Sequence, residues 1–246
     1  MNIKTTIATL GMTGIFLVSP MMASAQTVNP TRAANQASRL ATIISHSDTA
    51  IAQRLTSLND ASTRINSLVK LSSAQKAQFS GEIVTDVNGL TSLKAKIDAD
   101  TDLTTARADY KTIFTTYRVY AEFLPQLHLL ISSDTMDVTA DKLSDLATKL
   151  QSRIQSAGNP SNLTSLLSDM QAKIADAKTQ YGNVQSQVTS LTPQSYDNDP
   201  TGTSSTLKNA RSEIQTGAGD LKAAFADAKQ IIQALKAIHT TPAPTQ

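Results

Sequence analysis

The sequence contains no cysteine and no tryptophan, and aromatic residues make up only 4% of its 246 residues. Without cysteine the chain can form no disulfide bond, offer no thiolate metal ligand and use no thiol nucleophile. Aromatic side chains bury the largest areas, so their scarcity favours thin cores between helices over one thick globular core. Stability must therefore come from packing alone.

Charge and catalytic motifs are also sparse. Only 17% of the residues are charged, the formal net charge is +2, and the basic residues are spread along the chain, so no basic patch predicts nucleic-acid binding. The sequence has no Gly-x-Ser-x-Gly motif and no phosphate-binding glycine loop. His46, His128 and His239 fall in three different predicted helices, each without a second ligand one turn away. We expect no catalytic residues, no cofactor and no enzyme activity.

Residues 1–25 have the pattern of a secretory signal peptide. Lys4 supplies a positive charge, Ile7–Val18 form a short apolar core, and residues 23–25 read Ala-Ser-Ala, a small-x-small cleavage pattern. A membrane anchor is the alternative, but threonine, glycine and proline interrupt an apolar run that is short for a membrane span. We therefore expect cleavage, no membrane span in the mature chain, and an exported protein that is periplasmic, cell-surface or extracellular.

Most of the remaining chain carries apolar residues at spacings of three and four, which is typical of helices packed as in coiled coils. Leu103–Ile131 has the longest aromatic-rich stripe, and we expect it to be the central helix. Two further regular stripes occupy Leu163–Leu191 and Leu207–Ile238. A fourth region, near 31–69, has a heptad repeat of isoleucine and leucine, although polar Ser47 and Arg54 fall at its second seam position.

These stripes predict an all-α fold, because short turns between long helices make sequential helices antiparallel. We expect an elongated antiparallel bundle of five or six long helices over residues 26–239, with coiled-coil-like packing. Ser72–Gln75 is predicted to form a capping box at the start of the second helix. Ser132–Thr139 and Thr192–Thr203 are predicted to be loops, and residues 240–246 a disordered tail.

Pro125 lies inside the predicted central helix. It cannot donate to the Ala121 carbonyl, and its ring should kink the helix axis. Because the apolar stripe continues on both sides, we predict a bend and not a break. Glu122 falls off the stripe and is expected to face solvent. Structural roles are assigned to five residues around this point: Tyr110, Tyr117, Tyr120, Leu124 and Pro125.

The one metal-site candidate is the acidic segment containing Asp98, Asp100 and Asp102. Alternating carboxylates suggest a calcium loop, but such a loop needs glycine at its sixth position, where this sequence has Leu103. We expect instead an acidic turn between helices, with Asp100 or Asp102 capping the helix that follows, and no metal.

Arg118-Val119-Tyr120, followed by Pro125, resembles a segment of the uncharacterised secreted helical proteins of candidate-phyla (Patescibacteria) bacteria. Members of this family share an export signal and an Arg-aliphatic-Tyr segment followed by proline. The resemblance implies a helical fold and export, but no activity. Residues 71–75 are also similar to the Leu-Thr-x-x-Gln motif of the Spy/CpxP periplasmic chaperones, although one copy is present and serine replaces threonine.

Three functions follow as hypotheses. The first is an exported, non-enzymatic structural or interaction protein of the cell envelope or surface, whose helix seams bind a protein partner or a second copy. The second is a periplasmic holdase-type chaperone, which needs an open apolar face, for which Phe79, Phe123 and Leu130 are the candidates. The third is a helical membrane-active protein that uses Val119–Ile131, although this segment is too short to span a membrane.

Overall fold

A computed structural model of the chain describes residues 30–240, excluding the side chains of residues 193, 194, 239 and 240. Within that range helices are the only regular secondary structure and there is no strand, which confirms the predicted all-α fold. The predicted signal peptide and residues 241–246 lie outside the described residues. The helices are α1 (Pro30–Ser67), α2 (Ser73–Asp98), α3 (Leu103–Thr115), α4 (Leu124–Ser156), α5 (Ser161–Thr189), α6 (Pro193–Asn198) and α7 (Pro200–Thr240), with a π-helical turn (Val119–Phe123) before α4.

Helices α1, α2 and α3 pack together as one unit. The ion pair between Lys94 of α2 and Asp48 of α1, and the bond from Lys76 Nζ to the Asn66 carbonyl (3.4 Å), show that these two helices run antiparallel. The predicted capping box is confirmed at the start of α2, where the Gln75 N–H donates to Ser72 Oγ (3.2 Å) and Gln75 Oε1 accepts from the Ser72 N–H (2.9 Å).

Helices α4, α5 and α7 form the second unit. Gln126 Nε2 donates to the Val188 carbonyl (2.6 Å), and Ser133 Oγ donates to the Tyr181 carbonyl (3.0 Å). The second pair lies seven residues further along α4 and seven residues back along α5, so these helices are antiparallel in heptad register. The predicted stripe of α5 is confirmed, since all nine of its residues are buried: Leu163, Leu167, Met170, Ile174, Ala177, Tyr181, Val184, Val188 and Leu191.

The turn between α1 and α2 joins the two units. The Lys70 backbone N–H donates to the buried Asp134 carboxylate of α4, and the Lys70 carbonyl accepts from Gln185 Nε2 of α5 (3.2 Å). The Lys70 ammonium also forms ion pairs with Asp137 (3.5 Å) and Asp141 of α4. Because one lysine uses its backbone and its side chain on two helices, this turn fixes how the first unit sits on the second.

The predicted continuous central helix is wrong. Helix α3 ends at Thr115, and Arg118 has left-handed backbone geometry (φ 39°) before the π-helical turn starts. The chain therefore breaks seven residues before Pro125, which lies in the first turn of α4, where its missing N–H is tolerated. The Leu124 N–H bonds to the Val119 carbonyl five residues back, so the chain enters α4 through a widened turn and not through a bend at the proline.

The predicted polar loop Ser132–Thr139 is also wrong, because it lies inside α4. Its hydroxyl groups bond to carbonyl groups of helices, as Ser132 does to His128 (2.9 Å) and Ser133 does to α5, so the polar residues do not interrupt the helix. The predicted loop Thr192–Thr203 likewise contains α6 and the start of α7.

Two glycines let tyrosine rings pack against the backbone of a neighbouring helix. A Cβ on Gly89 of α2 would lie 2.6 Å from the Tyr117 hydroxyl oxygen, and a Cβ on Gly217 of α7 would lie 2.7 Å from the Tyr181 ring. Close approach is the reason for glycine at both positions.

Candidate functional site

The five residues with predicted structural roles are not equally buried. Tyr110, Tyr117 and Leu124 are half-buried and pack against an apolar core that both units share, and Pro125 lies in the first turn of α4. Tyr120 is 45% exposed, contrary to its place on the predicted stripe. The break at residues 116–118 changes the helical phase, so a pattern that assumes one continuous helix assigns Tyr120 to the wrong side.

The candidate residues for a chaperone surface lie in the core. Phe79, Phe123 and Leu130 are 0%, 6% and 1% exposed, so they do not form an open apolar face. In the membrane-active hypothesis the segment was Val119–Ile131, which here forms the π-helical turn and the packed start of α4. None of the helices between residues 30 and 240 is long and apolar enough to cross a membrane.

The acidic segment before α3 forms a helix cap. Asp102 accepts hydrogen bonds from the Thr104 and Thr105 N–H groups, both at 2.9 Å, and these bonds together with that from the Thr105 hydroxyl lower the Asp102 pKa. Asp98 pairs with Lys94 of its own helix (2.9 Å). Across residues 30–240 the structure brings together no group of three acidic or histidine residues that could hold a metal ion.

Two places around the chain break have unusual chemistry. The first is a cavity between α2, the π-helical turn and α4, which has room for about one water molecule (≈ 10 Å³). Its lining is rich in acidic and polar residues: Glu82, Asp86, Tyr117, Arg118, Glu122, Phe123 and Gln126. We call it the acidic cavity.

Glu122 is the most unusual residue of the acidic cavity. It was expected to face solvent, but it is 3% exposed, and neither carboxylate oxygen has a hydrogen-bond partner. Burial raises its pKa to about 7, Asp197 and Glu82 add to the rise, and Arg118 opposes it. Burial, with Glu82 nearby, also raises the pKa of Asp86, to about 6. A carboxylic acid that stays protonated near neutral pH is therefore held inside the protein.

Arg118 holds the break against α6. Its Nε donates to Asp197 Oδ1 (2.8 Å), its Nη2 contacts the same oxygen, and its guanidinium carbon lies 4.5 Å from the centre of the Tyr196 ring. A non-glycine residue at positive φ costs of the order of 1–3 kcal/mol. The two contacts with α6 compensate for this cost.

The second place is an open groove of about 430 Å³ on the outer side of α1 and α3. We call it the α1–α3 groove. At its base Arg54 of α1 is 6% exposed, and its guanidinium carbon lies 4.5 Å from the Phe114 ring centre and 4.9 Å from the Tyr120 ring centre. Phe114 and Tyr120 are 42% and 45% exposed. The lining residues are His46, Thr49, Ala50, Gln53, Arg54, Tyr110, Phe114 and Tyr120.

Arg54 is a buried cation without an acidic partner among residues 30–240. Its Nη1 donates to the Ala50 carbonyl (2.9 Å), and its Nε is buried with no partner. Desolvation lowers its pKa, whereas the nearby Tyr120 and Tyr110 raise it, and no carboxylate contributes. An unsatisfied buried donor costs about 1–3 kcal/mol, which the two cation–π contacts partly offset.

Sequence reasoning found neither place. Arg54 was recognised only as a polar residue in a heptad seam, and Glu122 was assigned to solvent. The available signal was the place of Arg54 at a seam position seven residues after Ser47. Ser47 is also buried, and its hydroxyl bonds to the Ile43 carbonyl of its own helix (2.8 Å). Because heptads do not show which aromatic residue of a later helix lies opposite, the pattern could not reveal the cation–π contacts.

Comparison of the chain with models of protein families, with curated proteins and with solved structures finds no match. The resemblances at residues 118–125 and 71–75 therefore stay predictions.

Proposed function

We propose that this chain is an exported, non-enzymatic interaction protein of the cell envelope or surface. The observation that carries the proposal is the α1–α3 groove, where two aromatic rings are left 42% and 45% exposed around a buried arginine. Aromatic residues and arginine are the residue types most enriched in the energetic centres of protein interfaces.

The contrast with the rest of the protein supports this assignment. Both helical units have filled cores, in which the largest apolar side chains are fully buried. Phe225 of α7 is the other exposed phenylalanine among the described residues (53%), and its partner Lys229 lies 5.9 Å from the ring, further than Arg54 lies from either ring. The α1–α3 groove thus combines aromatic exposure with a desolvated cation, which Phe225 does not.

The non-enzymatic part of the proposal is supported by the acidic cavity. Glu122 has the raised pKa that is found in many general acids. However, the cavity beside it has room for about one water molecule, which leaves no space for a substrate next to the carboxyl group. We therefore assign Glu122, buried at the joint between helices, a structural role.

Photo-crosslinking in native cells tests the proposal. A crosslinking amino acid, p-benzoylphenylalanine, replaces Phe114 in one variant and Phe225 in a matched control, because both are exposed phenylalanines on helices. We expect a discrete crosslinked product in the envelope or secreted fraction from position 114, and a weaker product or none from position 225. Localisation of the protein in the cytoplasm, or no crosslink at position 114, would contradict the proposal.

A further inference from the structure

We propose that the α1–α3 groove binds an acidic segment of a partner protein by pairing a carboxylate side chain with Arg54. This inference rests on the proposed interaction function and names the chemistry of the partner.

Arg54 carries a positive charge that has no acidic partner among residues 30–240. Arg54 presents five N–H donors, and the structure gives it one hydrogen bond, to Ala50. None of the residues that line the groove is acidic. A carboxylate is the group that matches a guanidinium best, because two oxygens can accept two parallel N–H bonds.

A carboxylate must also be able to reach the guanidinium of the buried Arg54. Its Nε is buried, and its guanidinium carbon lies 4.9 Å from the ring centre of Tyr120, a residue that is 45% exposed and whose hydroxyl is 3.1 Å from Ser57 Oγ. Tyr120 belongs to the π-helical turn and not to a regular helix. Rotation of Tyr120 away from Ser57 would break one exposed hydrogen bond and uncover the part of the guanidinium on which its ring lies.

The open shape of the groove favours a protein segment over a small molecule as its ligand. Pockets for small ligands enclose most of the ligand surface. The α1–α3 groove is open to solvent along the helices, so it would leave a small acid largely exposed. A protein segment can cover the groove and exclude water from Phe114 and Tyr120, which strengthens the pairing with Arg54.

A phage library of random dodecapeptides, selected on the folded protein, tests the inference. We expect the enriched peptides to contain aspartate or glutamate beside an apolar residue. Exchange of that acid for asparagine or glutamine in the synthetic peptide should weaken binding, measured by fluorescence anisotropy, by at least tenfold. Arg54→Gln should weaken binding by a similar factor, and higher salt should weaken binding to the wild-type protein.

Two further variants keep the test valid if Arg54→Gln does not fold. Phe114→Ala removes an exposed ring and should also weaken binding severalfold, whereas Phe225→Ala should leave it unchanged. Peptides without an acid, peptides indifferent to Arg54 and Phe114, or no enrichment would each overturn the inference. Binding of acetate or benzoate to Arg54 without any binding of peptide would do the same, and would assign the groove to small acids. A crosslink at position 114 to a partner without an acidic segment would support the proposed interaction function and overturn this inference, so the two proposals fail separately.

Discussion

Glu122 should make the protein lose stability as pH rises through the neutral range. In the unfolded chain its carboxyl group ionises near the ordinary value of 4.5, whereas in the folded protein it stays protonated up to about pH 7. Below pH 4.5 both states carry the proton, and there is no effect. Between these two values the unfolded state alone loses the proton, so ionisation favours unfolding.

The magnitude follows from the same two pKa values. A difference from 4.5 to about 7 at roughly 1.4 kcal/mol per pH unit amounts to about 3 kcal/mol, fully lost above pH 7. Asp86, whose pKa is raised to about 6, acts in the same direction at lower pH. Glu122→Gln keeps the shape of the side chain and removes its titration. The variant should therefore gain stability relative to the wild type as pH rises from 5 to 8.

Urea unfolding, followed by circular dichroism at steps from pH 5 to pH 8, measures this difference. Glu213→Gln on α7 is the matched control, because Glu213 bonds to Gln187 (3.0 Å) away from the acidic cavity. We expect the free energy of unfolding of Glu122→Gln minus that of the wild type to grow by about 2.5 kcal/mol from pH 5 to pH 8, since the first part of the effect already appears below pH 5. A constant difference, or one that falls as pH rises, would refute burial of the carboxyl group.

Three other predictions concern packing and the acidic turn. On α2, Gly81→Ala meets no atom within 4 Å and should stabilise the protein by about 0.5–1 kcal/mol, whereas Gly89→Ala collides with Tyr117 and should destabilise it, as thermal unfolding of both would show. Leu127→Ala removes a side chain that is 1% exposed and should cost about 2–5 kcal/mol in urea unfolding; a loss below 1 kcal/mol would contradict its burial. Asp102→Ala should cost about 1 kcal/mol by removing a cap, and calorimetry of the wild type should detect no calcium binding tighter than about millimolar.

The sequence predicted the regular helices well and the break poorly. The stripe of α5 and the capping box of α2 depend on local spacing, which the sequence carries directly. The segment around Arg118 depends on contacts made by residues far along the chain, such as Asp197. A spacing rule assumes constant helical phase, so it cannot detect a left-handed residue followed by a π-helical turn.

Polar residues misled the same rules in two opposite ways. Ser132–Thr139 was predicted to be a loop because it is polar, yet Ser133 and Asp134 use their polar groups to bond to α5 and to the turn at Lys70. Glu122 was predicted to face solvent because it falls off the apolar stripe, yet it is buried. Polarity indicates a group that needs a partner, and only the tertiary structure shows whether that partner is water, another helix or nothing.

The chain break links the two places with unusual chemistry, because the π-helical turn supplies a residue to each. Tyr120 covers Arg54 in the α1–α3 groove, and two residues later Glu122 enters the acidic cavity. In one continuous helix through α3 and α4, two residues that are two positions apart would lie about 200° apart around the axis. Such a helix would need no strained residue before them. Arg118 instead adopts left-handed geometry, and its contacts with Asp197 and Tyr196 hold the turn in place. Function is expected at places where local rules are broken and the cost is compensated elsewhere. The strained geometry of Arg118 therefore supports a functional role for Tyr120 over the buried Arg54.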